Sequence, residues 1–89
     1  MGFKKDGCSE LILLDSDIPV AVQVKRRLER KTESVSAIRE FLGAALLRGH
    51  RRLIYATTAR SYSDEAKTAA QQAVALSLVE SYELINIEA

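Results

Sequence analysis

The amino-acid sequence predicts an α/β sandwich built on a mixed sheet, with elements in the order β-β-α-β-α-β. Three observations carry this. An apolar run and a valine stretch of period two lie near the N-terminus, joined by turn formers. Two segments of helical spacing follow, and each leads into an apolar strand. Strand–helix–strand order implies parallel pairing, whereas two strands joined by a short polar turn imply an antiparallel hairpin.

The first strand is Glu10 to Leu14 (ELILL), short, apolar and β-prone. Asp15-Ser16-Asp17-Ile18-Pro19 interrupts it with turn residues. In Val20 to Lys25, Val20, Val22 and Val24 fall on one face and Ala21, Gln23 and Lys25 on the other. That alternation is the period of a strand. Lys25 to Lys31 (KRRLERK) carries five positive charges against one negative, and the stretch up to Ser34 reads as a polar loop. A helix is predicted from Ser34 to about Arg48. Val35, Ile38, Phe41, Leu42, Ala45 and Leu46 form its apolar stripe. Ser34 suits its N-cap and Gly49 its C-terminal cap.

Leu53 to Thr58 (LIYATT) reads as the third strand and Ser61-Tyr62-Ser63 as a turn. Ser63 caps a second helix running to about Leu76, with Asp64 and Glu65 where the helix dipole favours acids. Ala66, Ala69, Ala70, Ala73 and Val74 give that helix a small-residue face suited to close approach to a sheet. Tyr82 to Ile87 (YELINI) reads as the last strand.

Composition excludes several classes. The chain has 89 residues, read as one domain over 1–89, with 47% hydrophobic residues, 28% charged and one Pro, a composition that argues against disorder. No apolar run approaches the ~20 residues of a membrane span. The N-terminus lacks the apolar stretch of a signal peptide, and a single cysteine, Cys8, excludes an internal disulfide and a Cys-rich zinc site. The expected compartment is a reducing cytoplasm. A net charge of +1 gives no global nucleic-acid signal, so any such signal is local.

Most conventional motifs are missing. There is no phosphate-binding Gly-rich loop and no Gly-x-Ser-x-Gly turn. His50, the single histidine, sits among Arg48, Arg51 and Arg52, and this cluster reads as a polar turn. Cys8 has no positioned base; both residues read as structural or incidental. Thr57, Thr58 and Ser61 lie where ligands bind in open α/β sheets, though hydroxyls serve turns and caps equally.

The hairpin carries the chemistry. A turn centred so that Leu14 faces Pro19 sets Glu10 opposite Gln23, and a shift by one residue sets Glu10 opposite Lys25. Either pairing brings an acid near a Gln and a Lys on the face away from the valines. A carboxylate and a side-chain carbonyl offer the oxygen donors that Mg²⁺ takes, and a lysine beside such a cation can steady phosphate charge or orient a water. The ordinary alternative is a solvated strand face with a cross-strand ion pair.

Asp6 to Lys25 (DGCSELILLDSDIPVAVQVK) resembles the core of the Mrr-type restriction endonucleases, members of the PD-(D/E)xK nuclease superfamily. Their pattern is Asp-Gly-Gly-x-Asp, an apolar strand, a hairpin, then Gln-x-Lys. Asp6-Gly7 matches the opening pair, Gln23-Val24-Lys25 the closing motif, and Glu10 the second family acid. Downstream, Phe41-Leu42-Gly43-Ala44 resembles the family's helix. Tyr55 to Arg60, with Tyr62, Ser63 and Ala66, resembles its strand–loop–helix, and Tyr82 to Ile87 its closing strand.

The resemblance implies a restriction-endonuclease-like three-layer sandwich and Mg²⁺- (or Mn²⁺-) dependent hydrolysis of DNA phosphodiester bonds. Glu10 takes the place of the metal-binding acid, Gln23 that of the second ligand, and Lys25 that of the catalytic lysine. Arg26, Arg27, Arg30 and Lys31 leave the same strand, where they could grip phosphate. Two features depart from the pattern. Glu10 is one methylene longer than the usual Asp; Asp6 could supply the carboxylate instead, at a poorer spacing. The usual N-terminal helix is also lacking, so the core is expected to pack as a dimer. Two alternative functions are a catalytically degenerate module that binds DNA or a partner, and a structural, self-associating α/β domain.

Overall fold

A computed structural model of the protein describes residues 10–13, 19–28 and 31–87, the first of these segments by its backbone pairing. The elements are β1 (Glu10–Leu13), β2 (Pro19–Lys25), β3 (Thr32–Glu33), α1 (Val35–Leu47), β4 (Arg52–Thr57), β5 (Ser61–Tyr62), α2 (Asp64–Ala75) and β6 (Ser81–Asn86). The main sheet has the order β1-β2-β4-β6. β1 is antiparallel to β2, while β2–β4 and β4–β6 are parallel. The mixed sheet is as the sequence predicts, and the order β1-β2-α1-β4-α2-β6 of its strands and the two helices is the predicted β-β-α-β-α-β.

Two details differ. First, the hairpin register pairs Glu10 with Val22 and Leu13 with Pro19. The pairings expected of Glu10, with Gln23 or with Lys25, are not found. A one-residue difference exchanges which positions share a row. By register, position 10 falls in the row of Val20, Val22 and Val24, not that of Gln23 and Lys25. The apolar strand and the valine alternation locate both strands, but the register is set through the connection, residues 14–18, which lies outside the described residues. Second, Thr32–Glu33 and Ser61–Tyr62 are not loop and turn but a two-stranded parallel sheet, β3–β5. Strands of two residues have no periodicity to detect.

The helix ends follow from local chemistry. Ser34 stands at the N-cap of α1 in extended backbone, but its side chain makes no capping bond. At the other end Gly49 adopts φ 83°, and its N–H donates to the Leu46 carbonyl at 3.0 Å while His50 N–H donates to Ala45 at 2.9 Å. This paired arrangement satisfies the last carbonyls of the helix. The α2 N-cap is Ser63, whose Oγ accepts from Ala66 N–H at 3.0 Å. Its C-terminus repeats the Gly49 geometry without a glycine. Ser77 adopts φ 62°, with Ser77 N–H to Val74 and Leu78 N–H to Ala73 both at 2.9 Å.

Both helices cover one face of the sheet. Ile38, Phe41 and Ala45 of α1 and Ala66, Ala70 and Ala73 of α2 join Ala21, Leu53, Tyr55 and Tyr82 in one core cluster. Alanines let α2 lie close, while Val74, expected on that face, is exposed instead. Phe41 meets Tyr55 and Tyr82 with ring centroids 6.0 Å apart in tilted and edge geometries, which aromatic pairs favour over a face-to-face stack. On the other face Val24 and Ile85 are exposed. Among the described residues this is two layers, a sheet and one helix layer. None of the described helices is long and apolar enough to cross a membrane.

Candidate active site

Parallel pairing places the predicted residues. Ala21, Gln23 and Lys25 on β2 pair with Leu53, Tyr55 and Thr57 on β4. Ala21, Leu53 and Tyr55 belong to the helix-covered core, so Gln23 lies on that face as well. It is only 2% exposed, and its Nε2 makes no hydrogen bond among the described residues. An unpartnered buried amide costs roughly 1–3 kcal/mol and calls for an explanation. Two residues on, where the face opens at the strand end, Lys25 is half-buried. Among the described residues its ammonium has no hydrogen-bond or ion-pair partner. Gln23 and Lys25 are thus brought together on one strand, as predicted. Glu10 pairs beside Val22, Asp6 and Cys8 lie outside the described residues, and no three His, Cys, Asp or Glu converge among the described residues.

The basic loop divides. Arg26 is exposed, Arg30 lies outside the described residues and Lys31 is exposed. Arg27, expected on phosphate, is committed to Glu33: its Nε and Nη2 donate to the two carboxylate oxygens at 2.6 and 2.8 Å. Glu33 is 2% exposed and also accepts from Tyr55 Oη at 3.1 Å and Thr57 Oγ1 at 2.7 Å. Burial pushes this carboxyl up, but the hydrogen bonds from Arg27 and Thr57, with the Arg27 charge, outweigh it and hold it below its ordinary value. The same hydrogen bond raises Arg27 further against a smaller effect of burial. With four donors on two oxygens, Glu33 is a saturated structural acid and not a spare metal ligand.

Sequence reading missed this network because Glu33 sits in a segment that looks like solvated loop. The one available signal was a carboxylate beside a five-cation run, which identifies no particular partner. Thr57 and Thr58 prove structural: Thr57 Oγ1 also accepts from Ala59 N–H at 3.0 Å, and Thr58 Oγ1 from Arg27 N–H at 2.7 Å. Ser61 Oγ meets Thr32 Oγ1 at 3.2 Å. The second basic cluster is likewise bonded, Arg51 to the Ser77 carbonyl at 3.0 Å and Arg52 to Glu80 at 3.1 Å. Beside the Glu33 network an open groove runs past Arg27, Lys31, Thr32 and Ser34.

Searches of the curated proteins and of the solved structures return no match. Residues 2–87 match the family Mrr_cat, described as restriction endonuclease. That span takes in the hairpin, both parallel crossovers and the closing strand. The chain therefore belongs to the Mrr-type restriction endonuclease family, a nuclease-like domain of the PD-(D/E)xK kind.

Proposed function

We propose that this domain is a divalent-metal-dependent DNA endonuclease that hydrolyses phosphodiester bonds. The observation that carries the reading is the Gln23–Lys25 pair within a family match over residues 2–87. One member is a buried amide whose Nε2 has no partner among the described residues, and the other is a half-buried cation at the strand end with no side-chain partner among the described residues. The Gln23 amide brings an oxygen donor of the kind a hard cation takes. Lys25 brings a compact charge to the position of the attacked phosphate, where it steadies developing negative charge. A bound Mg²⁺ or Mn²⁺ would supply Lewis-acid activation of phosphate and water.

The metal also needs a carboxylate, and Glu33 is saturated. The family resemblance puts that acid in the segment ending at Glu10. Glu10 fits the family spacing but pairs beside Val22, in the row away from Gln23 and Lys25, and Asp6 is the alternative acid. Arg26 and the groove past Lys31 give DNA a cationic approach, with salt-dependent, sequence-blind affinity. We also propose that the domain works as a dimer, which would cover apolar side chains such as Val24 and Ile85 that are exposed on the face away from the helices; sedimentation showing a well-folded monomer at working concentration would count against this.

Glu10→Ala and Asp6→Ala, assayed for metal-dependent DNA cleavage beside wild type, test the site. Loss of about a hundredfold or more in one of them identifies the metal-binding acid. Full activity in both would sink the site as drawn. DNA binding that survives while no protein cleaves would instead favour the degenerate, binding-only reading.

A further inference from the structure

One buried acid that the proposed chemistry leaves unused joins the chain after β2 to β4. Glu33 is buried at the end of β3, and its four hydrogen bonds end on two other strands' neighbourhoods. Arg27 lies two residues beyond Lys25. Thr57 is the Cα partner of Lys25, and Tyr55 that of Gln23. Two backbone bonds complete the bracket. Thr58 N–H donates to the Lys25 carbonyl at 3.1 Å, and Arg27 N–H donates to Thr58 Oγ1 at 2.7 Å. A single carboxylate therefore ties the chain just after Lys25 to both β4 residues beside the Gln23–Lys25 pair. Taking a charge out of water is costly, and apolar groups can pack a strand end without it. What the ionic bracket adds is a fixed direction: the Arg27 fork meets the carboxylate in two parallel bonds.

We propose that Glu33 is a positioning residue, which clamps the C-terminal end of β2 against β4 and thereby sets where the Lys25 ammonium stands. The consequence for catalysis rests on the nuclease reading; the clamp itself does not. In this role Arg27 is a structural partner of Glu33 and not a grip on DNA phosphate. Small displacements of a catalytic group are costly in rate, so the clamp acts on turnover more than on binding.

The test measures amide hydrogen exchange and DNA-nicking kinetics on the whole protein, comparing wild type with Glu33→Gln and Arg27→Lys. In Glu33→Gln the Arg27 and Thr58 amides are expected to exchange about tenfold faster, over and above any change at the core amide of Leu53. The kcat for nicking should fall about tenfold or more while KM for DNA stays within about twofold. Arg27→Lys keeps the charge but loses the fork, and shows the same pattern at smaller size even if Glu33→Gln fails to fold. If wild type itself does not nick, the nuclease reading fails, and the exchange measurements alone decide the clamp. Exchange at Arg27 and Thr58 that moves only in step with Leu53 overturns the proposal. So does a rise in KM at unchanged kcat.

Discussion

At the scale of single residues, the molecule contrasts two buried polar groups. Glu33 has a donor for each lone pair, and Gln23 has an amide nitrogen with none. The contrast predicts opposite responses to isosteric change. Gln23→Met removes the unpartnered group and should stabilise the fold by about 1 kcal/mol while abolishing cleavage, a trade expected of a functional site. Thermal unfolding beside a nicking assay checks both halves; a variant less stable than wild type would show that the amide is a structural element. Glu33→Gln should destabilise by roughly 1–3 kcal/mol at neutral pH. Because the folded-state carboxyl is held below its ordinary value, its stabilisation is present above the unfolded pKa, near 4.3, and is lost as pH falls through the folded value. The stability gap between wild type and Glu33→Gln should therefore narrow in acid. Denaturant unfolding of both proteins at pH 7 and pH 3 measures this, and a gap that does not change with pH would contradict it. Of these residues, Gln23 and Lys25 were legible in the sequence because Gln-x-Lys is a motif on one strand. Glu33 was not, since its importance lies in contacts to Tyr55 and Thr57, more than twenty residues away.

Elements show the same division between local and distant information. The two helices and four long strands stand close to where their periodicity and caps place them, because those signals are local. The hairpin register was not legible, since several turn geometries satisfy the same residues and each gives a different Cα partner for Glu10. The helix ends offer paired predictions. At both C-termini the residue after the cap adopts positive φ, Gly49 in one case and Ser77 in the other. Gly49→Ala should cost about 1 kcal/mol through backbone strain alone, as an added Cβ at Gly49 meets nothing within 4 Å. Ser77→Gly should stabilise by about 0.5 kcal/mol, since glycine adopts this conformation freely. Opposite shifts in unfolding midpoint support the reading, and shifts of the same sign would contradict it. Along α2, Ala70 is 4% exposed against the core, so Ala70→Leu should destabilise by about 1–3 kcal/mol through overpacking.

For the molecule as a whole, the helix-covered face concentrates the polar ring groups. Tyr62 donates to the carbonyls of Tyr55 and Ile85 at 3.0 and 2.7 Å, and Tyr82 to that of Ile38 at 2.8 Å. Burial, foremost among the causes, pushes the Tyr62 phenol up to about 12, and it raises Tyr55 and Tyr82 further. Groups raised in this way stabilise the fold fully below the unfolded value near 10, and that contribution is lost as pH climbs through the folded values. The domain should unfold cooperatively between about pH 10 and 12, with tyrosinate absorbance rising together with loss of circular dichroism. Ionisation of all three phenols in a still-folded protein would refute that coupling. The fold class was legible because strand–helix–strand order constrains topology strongly. For the proposed metal-binding acid the sequence names Glu10, with Asp6 as the alternative, and Asp6 lies outside the described residues.

In the proposed function, buried Gln23 and Lys25 on β2, whose ammonium has no partner among the described residues, form part of a metal-dependent nuclease site. The most direct test is plasmid nicking with Mg²⁺ or Mn²⁺, comparing wild type with Lys25→Ala. The account predicts metal-dependent nicking by wild type and loss of at least about a hundredfold in the variant, with its unfolding midpoint little changed. Equal nicking by both proteins, or none by a folded wild type with either metal, would contradict it.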